Sequence, residues 1–270
     1  MFLDSHCHLA SSRYDPSELP ELLTRAWQAG VARCITLATC MDDIEANLAV
    51  ASNPQVHACL GIHPCDVHRA PDDATEKIRA LLKDERICGI GESGLDYYHP
   101  APDGWDEAAF RQRQRSFLER HFELAASSGL NIVLHTRDRT GHGSLDDALA
   151  IYQDFQHAVR ALFHCFVHGP DQVDQVLALG GIVSFGGVAT FKNSHTIRES
   201  IRHCPDGSFL IETDAPYLAP EPRRGSRNEP AYLRFTADRI ALERGASIEA
   251  LADSTNRCAD EFFRFRPVGK

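Results

Sequence analysis

Val56-His57-Ala58-Cys59-Leu60-Gly61-Ile62-His63-Pro64 runs from a short apolar segment into a turn, and a helical pattern follows from Asp73 to Lys83. The apolar segment Ile87 to Ile90 comes next. Runs of four or five mostly apolar residues bounded by turn signals are too short for helices and read as buried strands. Two such strands joined through one helix form a crossover unit, and crossover units put their strands parallel.

The unit recurs in both directions along the chain. Upstream lie a strand at Phe2 to Asp4, a helix from Ser17 as N-cap to Gly30, a strand over Ala32 to Ala38 and a helix over Asp42 to Ala51. Downstream, a helix from Trp105 to Ser128 stops at Gly129, where glycine suits the left-handed cap. Strands Asn131 to Leu134, Val159 to Phe163, Ile182 to Phe185 and Ser208 to Ile211 then alternate with helices Ser144 to Phe155, Asp171 to Leu179 and Thr196 to His203. Helices Pro230 to Arg244 and Ile248 to Phe263 follow the last strand. Eight strands, each followed by helix, predict a (β/α)8 TIM barrel spanning 1–270 as one domain. A doubly wound open sheet shares the alternation, but no glycine fingerprint follows the first strand.

Active sites of such barrels form where the C-terminal strand ends converge. The strand ends here deliver His6 and His8, His63, Glu92 with Asp96 behind it, His135, His164, and Glu212 with Asp214. His6 and His8 are one residue apart, so on an extended segment both rings point to the same side. Burying this many ionisable groups together is costly unless cations compensate. The set therefore predicts a metal centre, with enough ligands for two ions and a carboxylate between them.

Composition narrows the setting. The formal charge of −10 disfavours bulk attraction to nucleic acid or an anionic membrane, but not a local basic rim or a pocket whose sign is reversed by metal. No apolar run reaches the ~20 residues of a membrane span. Nine cysteines, an odd number with no CxxC pair, suggest reduced thiols. With no secretory pattern at the N-terminus, the expected location is the cytoplasm.

Asp4-Ser5-His6-Cys7-His8, Gly61-Ile62-His63-Pro64, Gly91-Glu92-Ser93-Gly94-Leu95-Asp96-Tyr97-Tyr98 and Leu134-His135-Thr136-Arg137-Asp138 occur in that order. His164-Cys165-Phe166, Ser184-Phe185-Gly186-Gly187, Glu212-Thr213-Asp214-Ala215-Pro216-Tyr217 and Arg227-Asn228-Glu229-Pro230 follow. Over essentially its whole length the chain resembles the TatD family of metal-dependent deoxyribonucleases. The resemblance implies that His6, His8 and Asp214 hold one divalent ion, that Glu92 bridges to a second, and that His135 and His164 complete the second site. Glu92 and Asp214 would be the catalytic carboxylates, Asp214 taking a proton from a metal-activated water. The ions would be Mg2+, Zn2+ or Mn2+, and the substrate DNA, cleaved at phosphodiester bonds as by a 3′–5′ exonuclease.

His63, Arg137, Lys192 and Arg227 are candidates for substrate contact, with Arg227 alternatively paired to Glu229 or Glu212. The protein is expected to be a monomer, since a complete barrel needs no partner to close its site. An ester or amide hydrolase on the same barrel, such as a D-aminoacyl-tRNA deacylase, is the alternative activity. A non-catalytic metal-bound scaffold has no need of a second ion. Two features depart from the family pattern. Cys65 stands where many relatives carry histidine, and the turn from His164 to Gly169 is one residue longer.

Overall fold

A computed structural model describes residues 1–265, so the last five residues of the expected domain lie outside the described residues. Eight parallel strands form one sheet in sequence order: β1 Phe2–Cys7, β2 Val31–Leu37, β3 Val56–Leu60, β4 Ile87–Asp96, β5 Ile132–Arg137, β6 Ala161–Phe163, β7 Ile182–Phe185 and β8 Phe209–Ile211. Helices α1 Leu19–Gln28, α2 Ile44–Val50, α3 Ala74–Leu81, α4 Glu107–Ser128, α5 Gly143–Phe155, α6 Pro170–Ala178, α7 His195–His203 and α8 Leu233–Arg244 alternate with them, and α9 Ile248–Phe263 ends the series. The (β/α)8 barrel read from the alternation is the fold. No helix among the described residues is long and apolar enough to cross a membrane.

The ring closes just beyond the end of β8. Cys7 bridges to Ala215 in parallel fashion, the Asp214 N–H donates to the His6 carbonyl at 2.9 Å, and the His8 N–H donates to the Ala215 carbonyl at 2.7 Å. Below that bridge the buried Asp4 carboxylate accepts from the Thr213 N–H at 2.9 Å and from the Thr213 hydroxyl at 2.5 Å. This seam sets His6, His8 and Asp214 side by side.

The barrel interior is packed. Leu3, Ile35, Cys59, Cys88, Val133, Leu162, Ile182 and Leu210 supply one apolar side chain from each strand. Phe262 and Phe263 of α9 join that cluster, and the Asn131 side chain at the foot of β5 donates to the Phe262 carbonyl at 2.6 Å. α9 therefore stoppers the N-terminal mouth and leaves the C-terminal mouth for chemistry.

Two strands run further than their apolar cores suggest. β4 continues past Ile90 to Asp96 and β5 past Leu134 to Arg137, so Glu92 and His135 sit within strands. Gly94 permits this extension: its φ is 142°, and a Cβ there would stand 2.0 Å from the His135 carbonyl oxygen. Gly94→Ala is expected to cost about 3 kcal/mol or more, from a backbone conformation L residues avoid combined with a collision with β5. Denaturant unfolding checks this, and a loss below about 1 kcal/mol would show that β5 can move aside.

Helix starts also shift. The first helical segment begins with a 3-10 turn, Pro16–Glu18, capped by Asp15 rather than Ser17, because proline favours the first helical position. The Asp15 carboxylate accepts from the Ser17 N–H at 2.9 Å.

Candidate metal centre

Glu92 stands at the middle of the C-terminal mouth, and its two oxygens face different neighbours. Oε2 lies 3.4 Å from both His6 Nε2 and His8 Nε2. Those two nitrogens are 3.3 Å apart, and Asp214 Oδ1 is 3.4 Å from His8 and 3.9 Å from His6. Oε1 lies 3.0 Å from His164 Nε2 and 3.1 Å from His135 Nδ1, which are 3.3 Å from each other. Atoms placed tetrahedrally about 2.0–2.1 Å from a common centre stand about 3.3–3.4 Å apart. Both groups have separations near that value, so the donor set fits divalent cations.

Local structure aims these groups. Alternation on β1 turns His6 and His8 the same way. Asp214 follows β8 with a left-handed φ of 55°, which bends its carboxylate back over β1; aspartate tolerates that conformation better than most residues. The outer ring nitrogens of His8 and His135 are hydrogen-bonded as in metal-binding histidines, whereas His6 Nδ1 is buried with no hydrogen-bond partner among the described residues. His8 Nδ1 donates to the Leu37 carbonyl at 3.2 Å, and His135 Nε2 meets Asp96 Oδ2 at 3.2 Å. His164 Nδ1 lies 3.4 Å from Glu212 Oε1. Glu212 is itself pinned by the Cys165 N–H at 2.7 Å and by the Ser184 hydroxyl.

His63 is oriented differently. Its Nδ1 accepts from the Cys65 N–H at 3.2 Å, so the neutral ring carries its proton on Nε2, which lies 3.5 Å from Glu92 Oε1. Burial lowers its pKa to about 3, despite the nearby Glu92. A neutral ring with its inward nitrogen protonated is a hydrogen-bond donor, not a ligand.

The other ionisable groups balance one another. Burial alone would raise Glu92 and Asp214, but the surrounding imidazoles hold both below the usual carboxylate range. Burial alone would lower His8, His135 and His164, yet the carboxylates raise all three, His8 to about 9. A cation entering the first group must therefore displace a proton from His8 at any pH below about 9. Affinity for a divalent ion is expected to fall by up to about tenfold per proton for each pH unit below that point, with proton release on binding. Titration calorimetry at several pH values and in buffers of different ionisation heat tests this; pH-invariant affinity would refute the coupling.

The six residues expected to form the metal centre all come together. A cleft of about 930 Å3 is lined by His8, Glu92, His135, His164 and Asp214, with His6 buried behind them, and also by His63 and Arg137. Lys192 and Arg227 are not among the residues lining it. Arg227 pairs with Glu18 at 2.5 Å, whereas Glu229 takes Arg25 at 2.7 Å. Cys7 and Cys165 are not poised as nucleophiles, since burial pushes both thiols up. The orienting roles of Asp96 and Glu212 were not readable from the sequence, although both stand within motifs that carry ligands.

An eight-stranded barrel with this cluster at its C-terminal mouth is the architecture of a metal-dependent hydrolase. The family model described as TatD related DNase matches residues 3–264, and the chain belongs to that family. Its relatives include the metal-dependent hydrolase YcfH of Escherichia coli K12, named as uncharacterized, which is 33% identical over 98% of this chain and 95% of its own. The protein named 3′-5′ ssDNA/RNA exonuclease TatD, of Dickeya dadantii, is 30% identical over 97% of each chain. The crystal structure of YjjV, a TatD homolog from Escherichia coli K12, superposes with a TM-score of 0.86 at 25% identity, covering 98% of both chains.

Proposed function

We propose that the chain is a single hydrolase domain that cleaves phosphodiester bonds in DNA as a 3′–5′ exonuclease, acting as a cytoplasmic monomer with two divalent cations. The observation that carries this reading is Glu92, whose two oxygens face two separate donor groups. His6, His8 and Asp214 would hold one ion, His135 and His164 the other, with Glu92 between them. Bound there, Mg2+, Zn2+ or Mn2+ supplies Lewis acidity to phosphoryl oxygens and lowers the pKa of water.

The chain's own groups do the rest. Asp214, held ionised by its histidine neighbours, accepts the proton of the attacking water. The water oxygen bonds to phosphorus as the bond to the leaving oxygen breaks; that oxygen is protonated from solvent, and Asp214 returns the proton it took to solvent. The Nε2–H of His63 hydrogen-bonds a non-bridging oxygen, and Arg137 on the cleft wall attracts the phosphate. Of the four residues expected to contact substrate, His63 and Arg137 are the two that line the cleft.

The test is a metal-reconstituted assay on labelled single-stranded DNA, double-stranded DNA, RNA and D-aminoacyl-tRNA. Stepwise release of nucleotides from the 3′ end of DNA is expected. Turnover of the aminoacyl-tRNA alone would replace this reading with the deacylase.

A further inference from the structure

We propose that the barrel mouth carries two arginine-backed tyrosine platforms, Arg13 with Tyr217 and Arg137 with Tyr98, which stack unpaired nucleobases on opposite sides of the metal-ligand cluster. This inference rests on the nuclease reading and specifies which form of nucleic acid the cleft takes.

Each tyrosine is large, aromatic and open to solvent: Tyr217 is 40% exposed and Tyr98 41%. Each lies under a guanidinium, Arg13 at 4.8 Å from the Tyr217 ring centroid and Arg137 at 4.2 Å from that of Tyr98. Arg25 and Arg227 make ion pairs with carboxylates, but neither Arg13 nor Arg137 is in an ion pair among the described residues. Arg137 and Tyr217 line the cleft, and Arg13 and Tyr98 reach it through them, so on a chain with a net charge of −10 the two unpaired guanidinium groups are a local attraction for phosphate.

Both platforms are tied to the cluster. The Tyr217 N–H donates to the Asp214 carbonyl at 2.8 Å, and its ring packs edge-on to His8 with centroids 5.9 Å apart. The Tyr98 N–H donates at 2.9 Å to the Asp96 carboxylate that also meets His135. Tyr98 follows β4 and Tyr217 follows β8, strands four positions apart in a ring of eight. They therefore flank Glu92 from opposite sides of the mouth.

Exposed aromatic rings paired with arginines are the elements that hold single strands, because every base offers a π-face and the phosphates need cations. In a duplex those faces are covered by neighbouring bases. An unpaired segment crossing the mouth can lay one base on each tyrosine and present a phosphate of the stretch between them to the cluster.

The experiment isolates the bases from the backbone. Fluorescence anisotropy on the metal-loaded protein compares a phosphorothioate thymidine 12-mer with a 12-mer of tetrahydrofuran spacers, which keeps the phosphate backbone but has no bases. The wild type is expected to bind the thymidine strand at least about tenfold more tightly. Tyr98→Ala and Tyr217→Ala should each weaken thymidine binding about five- to a hundredfold, with spacer binding unchanged, while Tyr98→Phe and Tyr217→Phe retain it. Equal binding of the two strands by the wild type, or alanine variants that weaken both equally, would overturn the platforms. Base-dependent binding without cleavage of the ordinary phosphodiester would uphold the platforms and remove the nuclease reading. Cleavage without base dependence would do the reverse.

Discussion

Replacing Glu92 with alanine is expected to lower kcat by about 10³-fold or more and to reduce bound metal, with the fold retained. The reason is the position of the carboxylate. Among the described residues Glu92 is the one whose oxygens meet both donor groups, at 3.4 Å on one side and 3.0–3.1 Å on the other. Two divalent ions about 3.5–4 Å apart repel strongly unless an anion lies between them. Removing that anion weakens both sites at once, whereas loss of one histidine weakens one. Glu92→Gln separates charge from shape: it keeps the volume but offers one good acceptor instead of two, and should also lose most activity. Melting temperature and metal content per chain accompany the rate measurement. A Glu92→Ala enzyme that turns over at the wild-type rate would sink the bridging role.

The barrel was legible because its signal is repetitive. Eight short apolar runs alternate with helical patterns, and no single one has to be right for the period to show. The clustering of His6, His8, Glu92, His135, His164 and Asp214 was legible because strand ends converge in a parallel barrel, so sequence order at those ends becomes proximity in space. What failed were features that depend on contacts between distant segments. β4 reads as finished at Gly91, since glycine weakens a strand; only the close approach of β5 explains why glycine continues it. The closing seam, with Asp4 receiving two bonds from Thr213, joins residues more than 200 positions apart and has no local signature. Long loops gave the weakest expectations. Lys192 and Arg227 were expected near substrate because their loops follow strand ends; neither lines the cleft, and Arg227 pairs with Glu18. Tyr98 and Tyr217 stand at the ends of two of the quoted motifs, but nothing in the sequence pairs them with Arg137 and Arg13, which come from other segments of the chain.

Changing His6 and His8 together to alanine is expected to lower metal content from two ions per chain to one and to reduce turnover by about 10³-fold or more. The two nitrogens are 3.3 Å apart and supply half of the first donor group, leaving Asp214 and one Glu92 oxygen, too few to hold an ion against water. The second group keeps all its own donors, with His135 hydrogen-bonded from behind by Asp96 and His164 Nδ1 3.4 Å from Glu212. His6 is fully buried and stacks on His164 with ring centroids 3.7 Å apart, so its removal also leaves a cavity beside the second group. The single variant His8→Ala, at the edge of the cleft, separates these effects: it should lose the first ion with little change in melting temperature. Elemental analysis after dialysis reads the stoichiometry directly. Two ions retained in the double variant would mean that the first group is not a metal site, and the opening motif of the chain would then need another explanation.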